Sequence, residues 1–348
     1  MKQQRHALRF TITTVVLIVI MIGLAVACVV MGSVDIPADA VADIVLGRGH
    51  SNRAWEIIIL QSRLPMVATA ALAGAALAVA GLLLQTTFNN PLAGPSILGV
   101  SAGAGLGVAI VMLALGGTLG GVLGGGAGSY IATLVGALLD AGAVLALLIA
   151  FSTVVRSSTM LLIIGILVSY LTSSVIQLLS SAANEEGIHR YVTWGFGNFQ
   201  GVGVDQLPVY VAVIVAALAA SCLMVKPLNA LLLGTRYAEN LGVNTHRTRN
   251  ILLLITGVLT AVVTAFCGPI GFLGLVVPHV ARFMTGTSNH SQLLPTTILA
   301  GADVALLCTL VSVTGGKGLI PINAITPVIG VPIIIYIIVN RVRINYFN

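Results

Sequence analysis

Few residues in this chain could do chemistry, and their spacing argues against most of it. Gly99-Val100-Ser101-Ala102-Gly103 has the G-x-S-x-G spacing of a nucleophile elbow, which needs a strand-to-helix turn and His and acid partners. Here it opens an apolar run with no evident strand before it, so small residues for close helix contact explain it better. Gly315-Gly316-Lys317-Gly318 lacks the first glycine and the hydroxyl residue of a phosphate-binding loop, so the chain cannot cradle ATP by that route. The histidines, His6, His50, His189, His246, His279 and His290, include no H-E-x-x-H or similar pair, and no metal site or cofactor is expected on the chain. Cys28, Cys222, Cys267 and Cys308 form no CxxC and lie in or beside apolar runs, where they read as small packing residues. Asp140 and Asp303 also sit in apolar runs. An acid at membrane depth is costly, and marks either a proton or sodium relay or a neutral group bonded to neighbouring helices.

The elements that must position these residues are membrane helices. Of the 348 residues 57% are hydrophobic and 7% charged, with mean hydropathy +1.07; soluble domains are about 25% charged. The runs are continuous rather than alternating, which excludes a barrel, and helices satisfy their own backbone groups in lipid. At about 20 apolar residues per crossing, the sequence yields about ten spans, near residues 10–32, 64–87, 96–115, 128–151, 159–182, 207–225, 250–268, 271–285, 293–312 and 324–340. The first run is longer than a signal-peptide core and reads as an uncleaved helix. Residues 116–128 are glycine-dense and read as a turn, with Gly121 and Gly125 in GxxxG spacing.

Charge sets the orientation. With the N-terminus inside, cytoplasmic segments hold Lys2, Arg5, Arg9, Arg156, Lys226, Arg236, Arg247, Arg249, Arg282, Arg341 and Arg343. The other side holds Arg48, Arg53, Arg63, Arg190 and Lys317 with seven acids, Asp35, Asp39, Asp43, Glu56, Glu185, Glu186 and Asp205. Positive loops stay inside, so both termini are expected in the cytoplasm. The net charge of +6 then reflects topology, and no basic run with interleaved aromatics points to nucleic acid.

Four polar segments stand out. Residues 89–95, NNPLAGP, break two apolar runs with Pro and Gly. Residues 33–63 contain a short amphipathic pattern at 38–46, and residues 188–197, IHRYVTWGFG, suit a short helix at the outer surface or an aromatic anchor. Residues 226–250 carry a short helical pattern at 235–241 between Gly234 and Gly242; so long a structured loop is more often functional than not, here as a docking surface.

Taken together these segments resemble the permease subunits of ABC importers for iron–siderophore complexes, haem and cobalamin, the FecCD-type family. The carriers are RLP at 63–65, NPLAGPSILGVSAGA at 90–104, AENLGVN at 238–244, GPIGFLGLVVPHVARFMTG at 268–286, LLP at 293–295 and PINAITPVIGVP at 321–332. The resemblance implies an all-α integral membrane protein, the type II importer permease fold, as one transmembrane domain over residues 1–348. About ten helices are expected, with helices 2–5 and 7–10 as inverted halves. Pro/Gly-broken turns follow helix 2 and helix 7, which places one break inside and one outside; matched interruptions in two halves point to a pathway.

The resemblance also assigns roles. Asn90, Leu92, Ser158 and Thr159 would form the cytoplasmic gate. Ala238, Glu239, Leu241 and Gly242 would lie in the segment that couples to an ATPase. Arg63 and Lys317 would dock a substrate-binding protein, and Trp194 and Phe196 would line the cavity. The cobalamin pattern has a second arginine where Met66 stands and a third before helix 10, where only Lys317 offers a charge. The expected partners are a cytoplasmic ABC ATPase dimer that holds ATP, an extracytoplasmic binding protein, a second permease copy and a metal chelate. The setting is a bacterial plasma membrane, and the subunit itself is not an enzyme. Ferric siderophore ranks first as cargo, then haem, then cobalamin. The competing reading is an ion-coupled secondary transporter using Asp140 or Asp303.

Overall fold

The computed structural model describes residues 2–48, 52–115, 126–155, 157–314 and 320–339. Among them every regular element is helical. The order is α1 (Lys2–Val30), α2 (Ala38–Val45), α3 (Arg53–Ile57), α4 (Leu64–Thr87), α5 (Val100–Ala109), α6 (Gly126–Val154), α7 (Ser158–Ala182), α8 (Glu185–Gly195) and α9 (Leu207–Leu223). Then come α10 (Val225–Leu231), α11 (Thr235–Asn240), α12 (Thr245–Cys267), α13 (Leu273–Thr285), α14 (His290–Thr314) and α15 (Ile322–Val339). A π-helical turn, Ile58–Arg63, joins α3 to α4 without a break, and another, Ile110–Ala114, prolongs α5.

A helix stands at each of the places read as a span, but not all are full crossings. Six are long and apolar enough to cross a membrane, and α9 with α10 makes a seventh if their 53° bend is taken as one broken span. Three are shorter: Val100–Ala114, Leu273–Thr285 and Ile322–Tyr336. The difference is physical. The sequence registers an apolar run, whereas two of these helices, α5 and α13, begin beyond a broken turn that takes up part of the run.

The core is built on α4, α12 and α14. Within their most apolar windows 78%, 78% and 67% of residues are buried, against 22–28% for α1, α6 and α7. The outer helices therefore present apolar side chains such as Leu139, Leu167 and Leu178 outward, as lipid or another subunit requires. Small residues draw the central helices together. A Cβ on Gly74 would stand 2.1 Å from the Gly301 carbonyl, and one on Gly107 2.1 Å from that of Gly136. The 99–103 glycines serve the same end: Ser101 Oγ lies 3.2 Å from Thr264 Oγ1 rather than against a histidine, and Gly103 packs on Asp140 and Val144.

Hydrogen bonds across the bundle define two ends. At one, Arg9 donates to the Phe283 and Met284 carbonyls, Thr86 meets His290, and Arg249 donates to the Ser152 carbonyl. This is the basic end, carrying Lys226, Arg236 and Arg247. At the other, Tyr130 donates to the Gly201 carbonyl and the Asn198 amide to that of Cys267. Helix α4 runs toward the basic end and α12 away from it, so the two units of helix, break and short helix run in opposite directions.

The two breaks are not confined to opposite faces. They open at opposite ends, after Thr87 and after Cys267, but their inner ends converge. Leu92, Pro95 and Ile97 line one small cavity, about 120 Å³, with Ile270, Phe272 and Leu275. A Cβ on Gly274 would stand 2.5 Å from Pro95 Cδ.

Candidate gate and coupling site

The first break is a tightly specified turn. Phe88 ends α4 by donating to the Leu84 carbonyl, and Asn89 takes a left-handed φ of 47°, which asparagine tolerates better than most side chains. Asn90 Oδ1 accepts the Leu92 amide at 2.9 Å, an Asx turn that needs a short side-chain acceptor at this position. Pro95 opens a 3-10 turn and Gly99, φ 78°, redirects the chain into α5. Leu92 is left 49% exposed at the tip. Asn90 and Leu92 thus share one turn.

Helix α13 holds that turn from the side. His279 Nε2 donates to the Pro91 carbonyl at 2.8 Å, and Arg282 Nη1 to Gln85 Oε1 at 2.6 Å. Gln85 Nε2 reaches back to the Leu275 carbonyl at 3.3 Å. Gln85 is fully buried and Arg282 is 4% exposed. Arg282, counted above among the charges of cytoplasmic segments, is therefore an internal clamp; the side of the last turn of α13 that carries Arg282 and Thr285 packs against protein.

A second set of bonds leads from the turn to the 226–244 segment. The His290 amide and Nδ1 both approach Asn229 Oδ1, at 2.8 and 2.9 Å, and Nε2 lies 2.9 Å from Thr86 Oγ1. The Asn229 amide oxygen carries no proton to donate, so Nδ1 carries the imidazole proton. Nε2 then accepts from the Thr86 hydroxyl, whose single proton is shared with the Leu82 carbonyl at 3.1 Å. Asn229 sits on α10, which packs on α4 and α14. Sequence reasoning missed this cluster of Gln85, Thr86, Asn229, His279, Arg282 and His290. Its signals were polar residues in or beside apolar runs and, for Asn229, a place in the polar 226–250 segment.

Beyond α10, α11 projects from the basic end, flanked by left-handed Gly234 and Gly242 with φ 97° and 83°. The short helix expected at 235–241 is present. Ala238 is buried and holds α11 in place, while Tyr237 and Leu241 are 63% and 61% exposed. Glu239 Oε1 accepts the Thr245 hydroxyl at 2.8 Å, tying α11 to the start of α12. A Cβ on Gly242 would meet nothing within 4 Å. The exposed apolar pair beside Arg236 is a surface that a partner could cover.

The other expected site residues divide. Thr159 is exposed at the start of α7, with no bond to the Asn90 turn among the described residues; the side chain of Ser158 and all of Lys317 lie outside them. Where α7 meets the first break it does so further along, with a Cβ on Gly165 3.0 Å from Leu98 Cα. Trp194 and Phe196, two residues apart, line different cavities: Trp194 one of about 570 Å³ with Tyr130 and Phe266, Phe196 one of about 180 Å³ with Met66 and Ile322.

Arg63, expected to face a docking partner, is turned inward. It is 5% exposed and donates to the carbonyls of Val29, Val30 and Val34 at 2.8, 2.7 and 2.5 Å. The end of α1 leaves carbonyls without intrahelical partners, and Arg63 supplies them. Arg63→Gln is expected to lower stability by about 2–4 kcal/mol, since charge-assisted bonds to buried carbonyls are lost. The midpoint of thermal unfolding in detergent measures this, and an unchanged midpoint would refute the capping role.

Residues 15–340 match the FecCD transport family. The chain belongs to that family. Its relatives include the vitamin B12 import system permease proteins BtuC of Salmonella typhi and Salmonella newport (strain SL254), each 33% identical over 290 residues, 83% of this chain and 85% of theirs. A solved structure described as an inward-facing conformation of a metal-chelate type ABC transporter superposes with a TM-score of 0.80. It is 28% identical and covers 94% of this chain and 98% of that one. The FecCD chain is thus a multi-pass, all-helical transport subunit with the type II importer permease fold.

Proposed function

We propose that the chain is the membrane-spanning permease of an ATP-driven importer for a metal chelate. One observation carries this reading best. An exposed docking helix, α11, packs on α10, and Asn229 of α10 is bonded through His290 to Thr86, in the last turn of the helix that runs into a Pro/Gly-broken turn whose tip is Leu92. That arrangement suits a subunit that receives force from outside the membrane and delivers it to a gate. In this reading the basic end is cytoplasmic, both termini lie there, and an ABC ATPase dimer carrying ATP seats on Ala238, Glu239, Leu241 and Gly242. Two permease copies bring their Asn90–Leu92 turns, with Ser158 and Thr159, to the inner end of a shared pathway. A substrate-binding protein docks at the acidic end, where Arg63 as placed here offers no free charge.

The FecCD match and the likeness to a metal-chelate type transporter support a chelate as cargo. The BtuC relatives bring cobalamin forward, while Met66 in place of a cobalamin-pattern arginine keeps ferric siderophore beside it. Proteoliposomes containing this chain with its ATPase and binding protein, offered labelled cobalamin and labelled ferric siderophore, should accumulate one of them only when ATP is supplied. Uptake driven by a proton gradient without the ATPase would overturn the reading in favour of an ion-coupled carrier built on Asp140 or Asp303.

A further inference from the structure

The cavity behind Trp194 has a composition that the transport reading does not use. It is about 570 Å³, within the range that holds small ligands, and lies between α8, the start of α6 and the end of α12. Its apolar wall includes Trp194, Phe266 and Leu134. Its polar side chains are Arg190, Asn198, Tyr130 and the hydroxyl residues Ser129, Thr133 and Thr193, with Arg190 the one charge. Arg190 Nε is buried and has no hydrogen-bond partner, and the same guanidinium reaches only the outward-facing Glu186, at 3.4 Å. Asn198 Oδ1 is occupied by the Gln200 amide at 2.7 Å, which turns its NH2 group away as a donor. The Tyr130 hydroxyl proton goes to the Gly201 carbonyl, at 3.1 Å, which leaves its oxygen as an acceptor only. Although this end of the molecule carries most of the acids, none lines the cavity. The Arg190 side chain is 40% exposed as a whole, but its buried Nε–H is left without an acceptor, and an acceptor-only group with bidentate geometry is what pairs with a guanidinium.

We propose that this cavity binds an amphiphilic anion: one carboxylate or phosphate group paired with Arg190 and Asn198, on an apolar body packed against Trp194 and Phe266. The ligand is either a phospholipid of the outer leaflet or a soluble acid. The site is contained within one protomer and does not depend on the identity of the transported chelate.

The chain has 2 tryptophans, so a Trp55→Phe background makes Trp194 the sole tryptophan reporter, excited selectively over the tyrosines. Full-length protein in dodecyl maltoside is titrated with dodecanoate, dodecyl phosphate and, as a neutral control, dodecanol. The two anions should change Trp194 emission saturably and dodecanol should not. Arg190→Gln should weaken anion binding about tenfold or more, as loss of a charge-assisted pair implies. Glu186→Gln, which removes the competing carboxylate, should tighten it several-fold, a gain that misfolding could not produce. Equal responses to dodecanoate and dodecanol, or unchanged affinity in Arg190→Gln, would overturn the proposal. Mass spectrometry of protein extracted from native membranes separates the sources. Phosphatidylglycerol retained by the unmodified chain and lost from Arg190→Gln assigns a lipid. Dodecanoate binding with no retained phospholipid assigns a soluble acid.

Discussion

Gly242→Val is expected to abolish ATP-driven uptake while leaving the chain folded and inserted. The residue closes α11 with φ 83°, a region a β-branched side chain enters only at a cost of about 1–3 kcal/mol. That cost falls on an exposed loop, so it cannot unfold a bundle of buried helices. Nor would the new side chain collide with its own chain, because a Cβ there meets nothing within 4 Å. Two causes of failure remain: the altered path of the backbone, which tilts α11, and the added volume, which fills space a partner occupies. Gly242→Asn separates them, since asparagine accepts the left-handed conformation but still adds bulk. Uptake in proteoliposomes and co-purification of the ATPase subunits are the measurements. Restored uptake in the Asn variant assigns the effect to backbone path, and loss in both assigns it to partner contact. Normal uptake by the valine variant would remove Gly242 from the coupling surface.

The places of the helices and the short α11 were legible from hydropathy and glycine position because both are local. Helix α11 was visible because its two glycines and the polar run between them are adjacent in sequence. What the sequence left hidden depends on depth and direction. Arg282 and Arg63 look like loop charges to any count along the chain. Each is buried because the helix end beside it lies within packed protein, where carbonyls or an amide oxygen await a donor. The cluster that joins Asn229 to His290 and Gln85 to Arg282 spans separations of 61 and 197 residues; no spacing rule connects such positions. Trp194 and Phe196 were read as one aromatic lining, yet α8 ends between them, and the change of backbone direction sends them to separate cavities.

The same limit applies to the glycines of α4, where the structure gives a second large expectation: Gly81→Leu should destabilise the bundle and stop transport. A Cβ on Gly81 would stand 1.6 Å from the Gly274 carbonyl oxygen, and one on Gly274 2.7 Å from that of Leu77. This is backbone against backbone, so no flexible side chain can yield. Overpacking a core costs about 1–3 kcal/mol where side chains can shift, and the penalty here should reach or exceed the top of that range. Relief requires α13 to leave α4, and that movement carries the Asn90–Leu92 turn, the proposed gate, with it, because His279 and Arg282 on α13 hold Pro91 and Gln85. Stability and gating therefore fail together. Gly142→Leu is the matched control, since a Cβ at that exposed position in α6 meets nothing within 4 Å. In detergent the Gly81 variant should melt several degrees below the Gly142 variant, and its proteoliposomes should show no ATP-dependent uptake. Equal melting and equal uptake in the two variants would mean that α13 can withdraw from α4 without disturbing the Asn90–Leu92 turn, and that the clamp formed by His279 and Arg282 does not set the position of that turn.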